Sequence, residues 1–143
     1  MDIQNSYRKI IEIMKNILEE IAARTRERIA KEKTCISVSE LENRIQEVNK
    51  NARQKITFLQ ALQKDGMSYI CEVKKASPSK GLIAPDFPYL AIAKEYEQAG
   101  ASAISCLTEP FYFQGADRYL RESAATVQIP VLRKDFTVDE YMI

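Results

Sequence analysis

The amino-acid sequence predicts an α/β fold. Residues 1–66 form a helical extension, and residues 67–143 form a parallel sheet of βαβ units. Two observations lead there. The N-terminal part carries helical periodicity and no strand-like run. From Met67 onward, three short apolar runs recur about every 30 residues between amphipathic stretches, the pattern of right-handed βαβ units.

In the extension, apolar residues fall at Ile3, Tyr7, Ile10, Ile11, Met14, Ile17, Leu18 and Ile21, near the spacing of one helical face. This predicts a long helix over 3–33. It is either packed on its own domain or free to pair with a partner helix. The former is favoured, because the apolar repeat stops at the polar stretch Arg24-Thr25-Arg26-Glu27-Arg28. Ser37-Val38-Ser39-Glu40 fits a capping box ahead of a second helix with Leu41, Ile45 and Val48 on one side. Phe58, Leu59 and Leu62 predict a short helical turn that Lys64-Asp65-Gly66 ends.

Tyr69–Lys74 is a β-branched and aromatic run and predicts the first strand. Ala76–Gly81 reads as a loop. Tyr89–Ala99 reads as a helix, with Pro88 at its first turn and Gly100 just past its end. Ala103–Leu107 is the second strand and Pro110–Gly115 the second loop. Asp117–Val127 is a helix with Tyr119, Leu120 and Val127 facing inward, and Ile129–Arg133 is the third strand. Thr137-Val138-Asp139-Glu140 fits another capping box, and Tyr141-Met142-Ile143 begins a helical apolar face. A helix of one turn does not hold itself, and three parallel strands leave an open edge. The expectation is a truncated domain.

Composition narrows the chemistry. Lys plus Arg number 21 and Asp plus Glu 20, a net charge of +1 that gives no footprint for nucleic acid. No apolar run approaches the roughly 18 residues of a membrane span. The N-terminus lacks the features of a secretory signal. Three cysteines (Cys35, Cys71 and Cys106), an odd number with no C-x-x-C pair, argue against a disulfide framework and for a cytoplasmic setting. There is no histidine, which excludes Ser-His and Cys-His nucleophilic sites. Acid–base work falls to Lys, Glu, Asp or Tyr.

In a parallel barrel the C-terminal strand ends gather at one face, and that face carries the site. Glu72 and Lys74 are two apart on the first strand and point to the same side. The third strand ends in Arg133-Lys134-Asp135. Glu72, Lys74 and Lys134 therefore converge, either as a structural ion pair or around a catalytic lysine. Ser77-Pro78-Ser79-Lys80-Gly81 is a plain loop or a weak anion loop. Phe111-Tyr112-Phe113 is a packing anchor or a wall for a flat aromatic ligand. No dinucleotide or P-loop fingerprint is present.

Three strings sharpen this. Glu72-Val73-Lys74-Lys75-Ala76-Ser77-Pro78-Ser79-Lys80-Gly81 resembles the first-strand signature of the indole-3-glycerol phosphate synthases. Ser105-Cys106-Leu107-Thr108-Glu109 with Tyr112-Phe113-Gln114-Gly115 resembles the second. Pro130-Val131-Leu132-Arg133-Lys134-Asp135-Phe136 resembles the third. The likeness runs over roughly residues 10–143 and is weakest before Met67.

The resemblance implies a TIM-type (β/α)8 barrel with extra N-terminal helices, of which about the first three βα units are present. It implies decarboxylating ring closure of a phosphorylated aromatic substrate in tryptophan biosynthesis, with no metal or organic cofactor. By the same resemblance Lys134 is the general acid, Lys74 holds the substrate's anionic groups, and Glu72 orients the lysines. Ser77, Pro78, Leu107, Phe113 and Phe136 line the pocket. A typical barrel needs about 250 residues, so the expectation is that the chain alone does not turn over. Phosphoribosylanthranilate isomerase is disfavoured by the same strings. A self-associating half-barrel or interaction module is the alternative from another class.

Overall fold

A computed structural model describes residues 3–51 and 56–143, and the side chains of residues 17–48, 50 and 56–143. The chain divides into two compact units: residues 1–52 with 136–143, and residues 53–135.

The first unit holds two helices, α1 (Ile3–Cys35) and α2 (Val38–Asn51). The expected apolar positions Ile3, Tyr7, Ile10, Ile11 and Met14 lie outside the described side chains. Where side chains are described, the buried stripe of α1 is Ile21, Thr25 and Ile29, spaced i, i+4, i+8 as one helical face requires. Leu18, expected on that face, is exposed. The stripe thus continues through the polar stretch 24–28. Thr25 fits because its hydroxyl donates to the Ile21 carbonyl at 2.8 Å, which satisfies the buried oxygen locally.

α2 is opened by Ser37, whose Oγ accepts the Glu40 N–H at 3.2 Å. The Glu40 carboxylate accepts from Arg44 Nε at 2.8 Å, one turn on. The C-terminal segment closes as a single 3-10 turn, Glu140–Met142. Its cap is Asp139 rather than the Thr137 of the expected box. The short Asp139 side chain accepts the Tyr141 N–H at 2.9 Å, and its carbonyl accepts from Met142, an i→i+3 bond that makes the turn 3-10. Lys33 pairs with Asp139 at 2.8 Å, and the Tyr141 hydroxyl donates to the Ile36 carbonyl at 2.9 Å.

The second unit begins with α3 (Phe58–Leu62), capped by a reciprocal box. Thr57 Oγ1 accepts from Gln60 N, and Gln60 Oε1 accepts from Thr57 N. Then follow β1 (Ile70–Val73), β2 (Ala76–Ser77), β3 (Gly81–Leu82), α4 (Tyr89–Gln98), β4 (Ala103–Leu107), α5 (Asp117–Thr126) and β5 (Val131–Lys134). The expected loop after β1 contains the small antiparallel β2–β3 hairpin. α4 ends in a Schellman motif: Gly100 sits at φ +90°, its N–H reaches Glu97 O, and the Ala101 N–H reaches Tyr96 O. Glycine adopts that conformation without penalty.

β1, β4 and β5 form a parallel sheet in that order, with β4 central. Residues in register point to the same side. Val73, Ile104, Cys106 and Val131 lie on one face and join Ala93, Tyr119 and Val127 of the helical layer in a single core. Tyr119 and Val127 are buried and Leu120 partly so, as the helical spacing predicts. α4 and α5 therefore cover one face only. On the opposite face the edge-strand residues Ile70 and Leu132 remain 49% and 46% exposed. No helix among the described residues is long and apolar enough to cross a membrane.

Candidate active site

The face that α4 and α5 leave uncovered carries the charged residues. The register places Glu72, Ser105 and Leu132 in one row across the sheet. Leu107 pairs with Lys134, and extending Val73↔Cys106 by one residue puts Lys74 beside Leu107. Lys74, Leu107 and Lys134 thus form the next row, at the C-terminal edge of the sheet. Two strand spacings separate the lysine backbones by about 10 Å, a span that two long side chains can close over a small ligand.

Glu72 and Lys74 are joined by a hydrogen-bonded ion pair, both about one-third exposed. The Lys134 side chain is exposed and makes no hydrogen bond or ion pair among the described residues. Leu107, between the lysines, is buried. Of the substrate-binding residues expected from the sequence, Ser77 is buried on β2, its Oγ accepting from Lys80 N at 3.3 Å, and Pro78 is exposed in the hairpin turn. Phe113 is half-buried in the loop between β4 and α5, and its carbonyl accepts the Ala76 N–H at 3.2 Å. That bond ties the aromatic loop to the hairpin leaving β1. Lys134, Glu72, Lys74, Leu107, Ser77, Pro78 and Phe113 all belong to the sheet unit. Phe136 falls in the unit of α1 and α2.

Residues not singled out by sequence reasoning hold this edge together. Thr108 N–H donates to Lys134 O at 3.0 Å, and its hydroxyl donates to Asp135 Oδ2 at 2.8 Å. Arg133 Nε donates to Thr108 Oγ1 at 3.2 Å, and Arg133 also pairs with Asp135 and with Asp117 at the start of α5. The Asp135 side chain is 2% exposed. Gly115 is required by close approach: a Cβ there would lie 2.5 Å from the Leu107 carbonyl oxygen. Such roles depend on tertiary packing, and their only trace in the sequence is a run of small and polar residues past each strand. Among the described residues no three of His, Cys, Asp and Glu are placed to share a metal ion.

These residues all lie within the stretch matched in comparisons with known proteins. A family profile for indole-3-glycerol phosphate synthase matches residues 18–143. The chain belongs to the indole-3-glycerol phosphate synthase family. An indole-3-glycerol phosphate synthase of Lacticaseibacillus paracasei is 51% identical over 127 residues, 89% of this chain and 48% of its own length. That of Ruminiclostridium cellulolyticum is 51% identical over 128 residues, with the same coverage of both chains. That of Endomicrobium trichonymphae is 52% identical over 127 residues, again covering 89% of this chain and 48% of its own. The chain spans about half the length of the curated relatives it matches. The family is built on a TIM barrel, and an α/β unit with a parallel three-stranded sheet is consistent with part of one.

Proposed function

We propose that this chain supplies the first three βα units of a (β/α)8 barrel and, with them, the acid and anion-binding part of an indole-3-glycerol phosphate synthase site. The observation that carries the reading is the row Lys74–Leu107–Lys134 at the C-terminal edge of the sheet, with Glu72 paired to Lys74. The substrate class is a phosphorylated arylamino sugar, 1-(2-carboxyphenylamino)-1-deoxyribulose 5-phosphate. No metal or organic cofactor enters the reaction.

In the forward direction the ring carbon bearing the carboxylate attacks the ribulose carbonyl, and a carbon–carbon bond forms. The carbonyl oxygen gains charge and takes a proton from the Lys134 ammonium, a general-acid step. Loss of carbon dioxide returns the electron pair to the ring and restores its aromaticity. The new hydroxyl leaves as water while the neighbouring methylene carbon, the former ribulose C1, gives up a proton, and the double bond that forms between them completes the indole. Lys74 holds the carboxylate and phosphate so that the reacting carbons meet, a positioning effect. Glu72 orients Lys74 through their ion pair. Ser77 and Pro78 shape the hairpin beside the substrate, and Leu107 and Phe113 give its aromatic ring apolar contact.

The acid that completes dehydration and the phosphate-binding loops lie in the part of the relatives that this chain does not span. The 143-residue chain on its own is therefore expected to bind without turnover. The test is calorimetric binding of indole-3-glycerol phosphate, run beside a fluorescence assay for its formation. Binding that is lost in Lys134→Ala or Lys74→Ala supports the reading. Binding indifferent to both substitutions overturns it. Three free cysteines agree with a cytoplasmic setting.

A second reading is favoured by one observation: the outer edges of β1 and β5 have no strand partner among the described residues, and Ile70 and Leu132 are half-exposed. Unpaired parallel edges associate. In this reading the chain self-assembles without catalysis, and light scattering over a concentration series distinguishes it from a monomer.

A further inference from the structure

Glu109 stands where β4 gives way to the loop leading to α5, and it is 1% exposed. A buried carboxylate is unfavourable unless its oxygens are hydrogen-bonded. Here both are. Oε1 accepts the Phe111 N–H at 2.9 Å, and Oε2 accepts the Tyr112 and Phe113 N–H groups at 2.7 and 3.0 Å. The Glu109 carbonyl accepts the Gly115 N–H at 2.8 Å and closes the loop behind them. Gln114, between Phe113 and Gly115, sits at φ 49°, a left-handed conformation that a residue with a Cβ keeps only where its surroundings hold it.

The loop is therefore wrapped around one carboxylate. Its contacts lead in two directions. Phe113 O accepts from Ala76 N, which connects the loop to the β2–β3 hairpin. The preceding residue, Thr108, is bonded to Lys134 O and Asp135 Oδ2, which connects it to the end of β5.

We propose that Glu109 is a positioning residue for the site: its carboxylate fixes the loop 110–115 so that Phe113 is presented beside the β2–β3 hairpin. The dipeptide Thr108–Glu109 then sets both the aromatic wall and Lys134 from one point on the central strand. This rests on the reading in which Phe113 meets the aromatic part of the substrate. Glu109 itself touches no reacting atom. Its charge matters because three donors converge on two acceptor oxygens. A glutamine of the same size turns one acceptor into a donor that faces those N–H groups.

The test uses the 143-residue chain and backbone amide exchange read by NMR, with indole-3-glycerol phosphate as the calorimetric probe. Glu109→Gln is expected to speed exchange at Tyr112, Phe113 and Ala76 by about tenfold or more while leaving Ile104 and Cys106 of β4 unchanged. Glu109→Asp, which keeps the charge, is expected to fall between. Where Glu109→Gln does not accumulate folded, Glu109→Asp read at the same three amides carries the test. Unchanged exchange at those amides, or acceleration of β4 by the same factor, overturns the positioning role, because the first shows no clamp and the second a general loosening. Where the unmodified chain binds the probe, binding about tenfold weaker in Glu109→Gln is expected, and equal binding overturns the link to the ligand. A chain that binds no probe overturns the proposed function, and the exchange data still decide whether Glu109 sets the loop.

Discussion

Leu107 and Lys134 are register partners across β4 and β5, on the sheet face opposite the helices. The pairing places an exposed ammonium beside a buried apolar side chain at the C-terminal edge, with Lys74 one strand further on. Under the proposed function an aromatic anion would set its charges against the lysines and its ring against the leucine.

That arrangement predicts a division of labour between the lysines. Lys134→Ala and Lys74→Ala are each expected to weaken binding of indole-3-glycerol phosphate by about ten- to a hundredfold, the usual worth of a hydrogen bond to a charged group. Lys134→Arg keeps the charge but holds its proton too tightly to act as an acid. In any assembly that completes the barrel it is expected to keep binding and lose turnover. Calorimetry beside the fluorescence assay separates the two. Turnover by Lys134→Arg at the unmodified rate would remove Lys134 from the acid role.

Gly115→Ala is expected to destabilise the sheet unit by about 1–3 kcal/mol, the usual range for overpacking. Its added Cβ would meet the Leu107 oxygen at 2.5 Å and the Thr108 carbonyl carbon at 2.7 Å. Both are backbone atoms at the end of the central strand, so no side chain can swing away. Urea unfolding of the two proteins measures the difference. Equal midpoints would mean that the loop relaxes more freely than the contacts suggest.

Much of this architecture was legible in the sequence, and the reasons are physical. Strands separated by amphipathic helices leave a period that survives in any context, so β1, β4 and β5 were locatable from the residues. The places of Glu72, Lys74 and Lys134 on the strands were legible because charges inside apolar strands are unusual. Thr25 was not, since only its bond to Ile21 O makes it fit for burial. Glu109 was not either. A glutamate past a strand looks like a solvated loop residue until three N–H groups are seen around it. The cap at Asp139 rather than Thr137 depends on which short side chain reaches the Tyr141 amide, and both satisfy the pattern.

The three cysteines are expected to differ in reactivity. Cys106 lies in the core, and burial pushes its thiol up to about 11, so little thiolate forms near neutral pH. Cys35 is exposed at the end of α1. A thiol reagent at pH 8 should label Cys35 quickly and Cys106 only when the chain is unfolded, with mass spectrometry of the digested protein as the readout. Rapid labelling of Cys106 in the native chain would show that β4 is not the closed centre of the sheet.

The Lys33–Asp139 pair gives a pH signature in the unit of α1 and α2. The Lys33 hydrogen bond, and after it the Tyr141 N–H, hold the Asp139 carboxyl below its ordinary value. Its pKa in the folded chain is thus lower than in the unfolded chain. The unfolded chain therefore takes up the proton first as pH falls, and the pair's contribution is present above the unfolded value of about 3.9. It is lost as pH drops through the lower folded value. The pair is exposed enough that added salt should weaken it. The Asp139 side-chain carbon shift, followed by NMR titration, is expected to show a midpoint below the ordinary carboxylate range that rises in Lys33→Ala. An unchanged midpoint in Lys33→Ala would assign the shift to the Tyr141 amide alone and leave the Tyr141–Ile36 bond as the tie between the C-terminal turn and the end of α1.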